Sequence, residues 1–131
     1  MPGPLFRKVD CVRVPVADLE AGLEFYRNAM GLALNWRTET AAGLRMPETD
    51  AEFVIHTESQ PEEVDLVVDD ASAAAARVVE SGGRVIAGPF EIDVGRCAVV
   101  ADPWGNVLVV LDLSKGRYRT DGDGNVTGVG P

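Results

Sequence analysis

The sequence predicts an α+β fold built from two tandem βαβββ modules, and three observations carry that prediction. The stretch Val12-Arg13-Val14-Pro15-Val16-Ala17-Asp18-Leu19 is echoed 52 residues later by Val64-Asp65-Leu66-Val67-Val68-Asp69-Asp70-Ala71. Each copy runs through an alanine-containing helical segment to glycine, Gly31 in the first and Gly82-Gly83 in the second. Three short strand patterns then follow each helix. A period of this size marks a duplicated supersecondary unit. Two copies are too few for a solenoid and suit a pseudo-symmetric domain with a site where the halves meet.

The elements follow in order. Val12, Val14 and Val16 alternate with Cys11, Arg13 and Pro15, the period of a half-buried strand. Asp18 is placed to cap a helix in which Leu19, Leu23, Tyr26 and Met30 recur at helical spacing and Gly31 ends the run. Strands are expected over 33–38, 42–46 and 52–56. The polar segment from Thr57 to Glu62 contains proline and reads as the linker between the copies. Val64, Leu66 and Val68 then form a strand, and Asp70 caps a helix through Ser81. Strands near 84–87, 95–101 and 106–111 complete the second copy. The turn Asp102-Pro103-Trp104-Gly105-Asn106 joins the last two.

At 131 residues the chain makes one compact domain, with module one at 8–57, a linker at 58–62, module two at 63–113 and a tail at 114–131. The tail reads as a hairpin-like or flexible segment. Its Asp121-Gly122-Asp123-Gly124-Asn125 run has Val126 where a calcium loop needs glycine, and no glutamate closes it. A net charge of −9, from 21 acidic and 12 basic residues, argues against nucleic acid as a partner and suits a cationic ligand. No apolar run reaches the length of a membrane span, and the first residues carry no hydrophobic signal region, so a cytoplasmic location is expected. Two cysteines, Cys11 and Cys97, make no disulfide framework and read as free, buried thiols.

In Val14-x-Val16-x-Asp18-Leu19-Glu20, Phe25-Tyr26 and Met30-Gly31-Leu32, the first module resembles the vicinal oxygen chelate superfamily. Val68-Asp69-Asp70, Gly82-Gly83 and Asp102-Pro103-Trp104-Gly105-Asn106 resemble that superfamily's second module. The likeness covers about residues 8–113. It implies an open eight-stranded barrel-like sheet around a cavity, a small-molecule ligand and a homodimer. In metal-dependent members, His and Glu side chains from both modules hold a divalent ion. The resemblance places those four positions at Cys11, Val54, Glu63 and Val109 in this chain.

Valine offers no lone pair, so the substitution at Val54 and Val109 removes two donors. Cys11 and Glu63 alone make a poor site for zinc. His56, the one histidine, lies two residues past Val54; a slip in register would make Cys11, His56 and Glu63 a three-ligand set. Two classes therefore stay open. The first is a metal-free binder of a cationic or aromatic molecule, contacted by Cys11, Arg13, Trp36, Val54, His56, Glu63, Asp65 and Val109, with no cofactor. The second is a lyase, isomerase or dioxygenase using zinc, nickel, iron or manganese. Glu63 is the candidate general base if a reaction occurs, and an ion pair with Arg13 is its structural alternative.

Overall fold

The structure is a computed structural model that describes residues 3–131. The fold is α+β with two tandem βαβββ modules, as the duplicated pattern predicts. The chain divides into two compact units. One comprises residues 10–63 with 118–128, and the other residues 3–9, 64–117 and 129–131.

In the first module, β1 (Lys8–Pro15) leads into α1 (Leu19–Leu23), and β2 (Ala33–Arg37), β3 (Ala41–Arg45) and β4 (Glu52–His56) follow. The strands lie in the order β2-β3-β4-β1, with β4 parallel to β1 and the other pairs antiparallel. Parallel pairing demands a crossover, which the helix supplies. Asp18 caps α1 by accepting the Ala21 N–H at 2.8 Å. Leu19, Leu23, Ala42, Leu44 and Ile55 form the buried core between helix and sheet. Full burial of side chains such as Leu44 and Ile55 stabilises by about 1.5–3 kcal/mol each.

One helical expectation is corrected. Met30 does not join Leu19 and Leu23 in the core; it is 56% exposed. After Leu23 the helix widens into a π-helical stretch, Glu24–Ala29, in which the Met30 N–H bonds to the Phe25 carbonyl at 2.8 Å. The i→i+5 register turns later residues off the face that 3.6-residue spacing assigns them.

The second module repeats the order with β5 (Glu63–Val67), α2 (Ala71–Glu80), β6 (Arg84–Ile92), β7 (Gly95–Ala101) and β8 (Val107–Leu111). Its strands lie β5-β8-β7-β6, with β8 parallel to β5. Val68, Ala98, Val100 and Val110 pack with Ala74 and Ala75, whose small side chains let α2 lie close on the sheet. β6 runs five residues beyond the expected Ala87, through Gly88 and Pro89 to Ile92. It is an edge strand with register shifts on either side of Ala87, where a proline costs no ladder bond.

Asp112, just after β8, is 5% exposed and ties this module together. Its carboxylate accepts N–H bonds from Ala71 at 2.9 Å and Arg96 at 3.0 Å, and the Ser114 hydroxyl at 2.7 Å. Burial by itself would raise the pKa of this carboxyl. The hydrogen bonds from Ala71, Ser114 and Arg96 outweigh burial and hold it below the ordinary value.

The tail is a hairpin of β9 (Arg117–Thr120) and β10 (Val126–Gly130). Its turn repeats the one between β7 and β8 bond for bond. Asp102 Oδ1 accepts the N–H groups of Trp104 and Asn106, both at 2.9 Å, and Asp121 Oδ1 accepts those of Asp123 and Asn125, both at 2.9 Å. Gly105 and Gly124 hold φ of +88° and +86°, which the turn requires and a side chain would resist. The acidic run read from the sequence thus spends the Asp121 carboxylate on its own backbone.

Candidate functional site

Strand register decides which side chains share a face. β1 and β4 run parallel with Cys11 beside Glu52, Arg13 beside Val54 and Pro15 beside His56. On β3, Gly43 stands opposite Val54 and Ala41 opposite His56. Trp36 on β2 pairs with Gly43. Because neighbours in register point to the same side, these residues lie on the sheet face away from the helix. Packing agrees: Cys11, Ala41 and Val54 form a buried cluster with Trp36, separate from the core under α1.

Trp36 is built into this face. A side chain at Gly43 would run into its indole, so the ring lies directly on the sheet. Its Nε1–H donates to Glu52 Oε1 at 2.8 Å, and Asn35 Nδ2 donates to Glu52 Oε2 at 2.8 Å. Tyr118 of the tail hairpin meets the indole with ring centroids 5.0 Å apart and planes at 55°. A flat ligand approaching this region therefore meets a Trp–Tyr pair rather than a lone indole. The sequence pattern pairs neither Glu52 nor Tyr118 with Trp36. Alternation along β4 puts Glu52 on the face of Val54; nothing local marks Tyr118.

Arg13 sits between two carboxylates. Its Nη2 lies 2.9 Å from Glu58 Oε1 and its Nε 3.9 Å from Glu63 Oε2, with the side chain 18% exposed. Glu58 also accepts the Thr40 hydroxyl at 3.2 Å. His56 is fully buried, and its Nδ1 accepts the backbone N–H of Glu58 at 3.1 Å. Glu58 belongs to the segment read from the sequence as a plain linker. It is instead the residue through which His56 and Arg13 are connected.

In the second module, Asp65 stands beside Val109, the place that Arg13 and Val54 hold in the first. Asp65 follows Arg13 by the 52-residue sequence offset, and Val109 follows Val54 by 55. Val99 and Val109 face each other across β7 and β8, on the side away from α2. Asp65 is buried.

Of the four expected ligand positions only Cys11 and Glu63 carry a donor atom, and Cys11 also stands among possible metal donors that include the neighbouring Asp10. Val54 and Val109 have no donor atom, Cys11 is packed among Ala41, Val54 and Trp36, and Glu63 faces Arg13. Cys11 and His56 are not brought together either. They sit beside Glu52 and Pro15 on paired strands, so about 13 Å of strand separates them.

Comparison with known proteins places the fold and the family. A family model for the Glyoxalase/Bleomycin resistance protein/Dioxygenase superfamily matches residues 8–110. CFP32 of Mycobacterium tuberculosis and Mycobacterium bovis, provisionally named a glyoxylase, is 53% identical over 45 residues. That match covers 34% of this chain and spans only 17% of the CFP32 length. The fold is similar to the crystal structure of methylmalonyl-CoA epimerase from Mycobacterium tuberculosis, with a TM-score of 0.67 at 18% identity, covering 86% of this chain and 91% of that one. Homoprotocatechuate 2,3-dioxygenase from Brevibacterium fuscum gives a TM-score of 0.66 at 21% identity, covering 86% of this chain and 38% of that one.

Proposed function

The chain belongs to the Glyoxalase/Bleomycin resistance protein/Dioxygenase superfamily, and from that premise we propose that it binds a small cationic or aromatic molecule without a resident metal ion. The observation that carries this reading is the pair Val54 and Val109, aliphatic side chains at equivalent places in the two modules. Sequestration needs a sheltered surface and a few fixed polar groups, not a Lewis acid. The Trp36–Tyr118 pair and the Arg13–Glu58–Glu63 cluster support such a surface, and a net charge of −9 favours a cation. The protein acts in the cytoplasm as a homodimer on this reading, with no nucleic-acid or membrane partner. No helix among the described residues is long and apolar enough to cross a membrane.

The competing reading is a metal-dependent lyase, isomerase or dioxygenase with Cys11, His56 and Glu63 as ligands or base. Epimerase and dioxygenase among the structural neighbours favour it. Elemental analysis of protein purified without chelators separates the two. Titration with zinc, nickel, iron and manganese, and calorimetry with aromatic cations against neutral isosteres, complete the test. Binding of the aromatic cations with no stoichiometric metal supports the proposal. Stoichiometric metal uptake that disappears in Cys11→Ala or His56→Ala would overturn it. Sedimentation of the full chain and of a chain lacking residues 114–131 tests the dimer and whether the tail mediates it.

A further inference from the structure

We infer that His56 is the positioning residue for Arg13, acting through Glu58 as a neutral imidazole whose proton sits on Nε2. The inference rests on the reading that Arg13 is a ligand contact, and adds what holds it there. The Glu58 amide donates to His56 Nδ1 at 3.1 Å, so Nδ1 carries a lone pair and no proton. Glu58 then grips the Arg13 guanidinium at 2.9 Å and the Thr40 hydroxyl at 3.2 Å. Thr57 is pinned from its backbone as well, its N–H bonding the Thr40 carbonyl at 2.9 Å. The strand end at His56 and the start of the following segment are therefore fixed together, and the carboxylate of Glu58 is delivered to Arg13.

The other ring nitrogen points to the same conclusion. His56 Nε2 is buried and has no hydrogen-bond partner among the described residues. A buried donor left without an acceptor is unfavourable. An apolar side chain of similar volume would avoid that cost if the ring served only as packing. What the imidazole supplies that leucine lacks is the acceptor at Nδ1. Arg13, with a long and flexible stem, has much rotamer freedom to lose. Glu58 removes that freedom before a ligand arrives, which is the physical content of preorganisation.

The test needs no ligand, so its failure is distinguishable from failure of the binding proposal. Nitrogen-15 NMR of the wild-type chain reads the tautomer directly: a proton on Nε2 and none on Nδ1 is expected near neutral pH. Asparagine places its side-chain oxygen near the position of Nδ1, and leucine does not. His56→Asn should keep the Glu58 amide protected and the Arg13 guanidinium resonance ordered. His56→Leu should speed Glu58 amide exchange by about tenfold, the loss of one ordinary hydrogen bond, and broaden the Arg13 signal. Unchanged Glu58 and Arg13 in His56→Leu would overturn the inference. A proton found on Nδ1 in the wild type would do so without any variant, even if His56→Leu fails to fold.

Discussion

The carboxylate of Asp112 accepts the backbone N–H of Ala71 at 2.9 Å, joining the segment after β8 to the first residue of α2 across 41 positions of sequence. The same carboxylate takes the N–H of Arg96 at the start of β7. One side chain thus organises a helix start and two strand ends. Asp112→Ala should destabilise the chain by about 1–3 kcal/mol, because buried donors lose their acceptor; urea unfolding measures it. Asp112→Asn should recover part of the loss.

The pH dependence has a definite sign. The Asp112 carboxyl is held below its ordinary value in the folded chain. Its contribution is therefore complete above the unfolded value, near pH 4, and is lost as pH falls through the lowered native value. The Asp112→Asn chain should show a flatter fall in stability below about pH 4. An identical acid profile in the variant would remove Asp112 as the cause.

Gly43 and Trp36 give a third prediction. Gly43→Ala puts a methyl group where the indole lies. Overpacking of this kind costs about 1–3 kcal/mol. Trp36 should swing outward and lose its bond to Glu52, raising its accessibility to a fluorescence quencher. Trp104 is already 84% exposed, so the variant should approach a single, fully quenched population.

The tail turn is testable beside its twin. Asp121 holds its turn through hydrogen bonds from Asn125 and Asp123, which lower its carboxyl pKa. Asp121→Ala should fray β9 and β10 and weaken the Trp36–Tyr118 ring contact, seen as faster amide exchange in 117–130. The core under α1 should be unaffected, since Leu19, Leu23, Ala42, Leu44 and Ile55 lie outside that turn.

Cys11 and Cys97 are both buried and form no disulfide. Native protein should react slowly with a thiol reagent and reveal both thiols only on unfolding. Rapid modification of Cys11 in the native state would contradict its packing against Ala41, Val54 and Trp36.

Sequence alone determined the two-module order and the caps at Asp18 and Asp70, because side-chain alternation and helix capping are local and survive without knowledge of partners. β4 and β7 begin and end where the pattern places them. The exposure of Met30 and the extension of β6 escaped it, since a π-helical turn and an irregular edge strand break the regular periods on which the reading rests. Only the tertiary structure decided that Glu58 would join His56 to Arg13, and that Tyr118 would meet Trp36. Residues 82 apart along the chain, as Trp36 and Tyr118 are, meet through the path of the backbone and the register of its strands. Those depend on burial summed over a whole module, and no short run of residues encodes them.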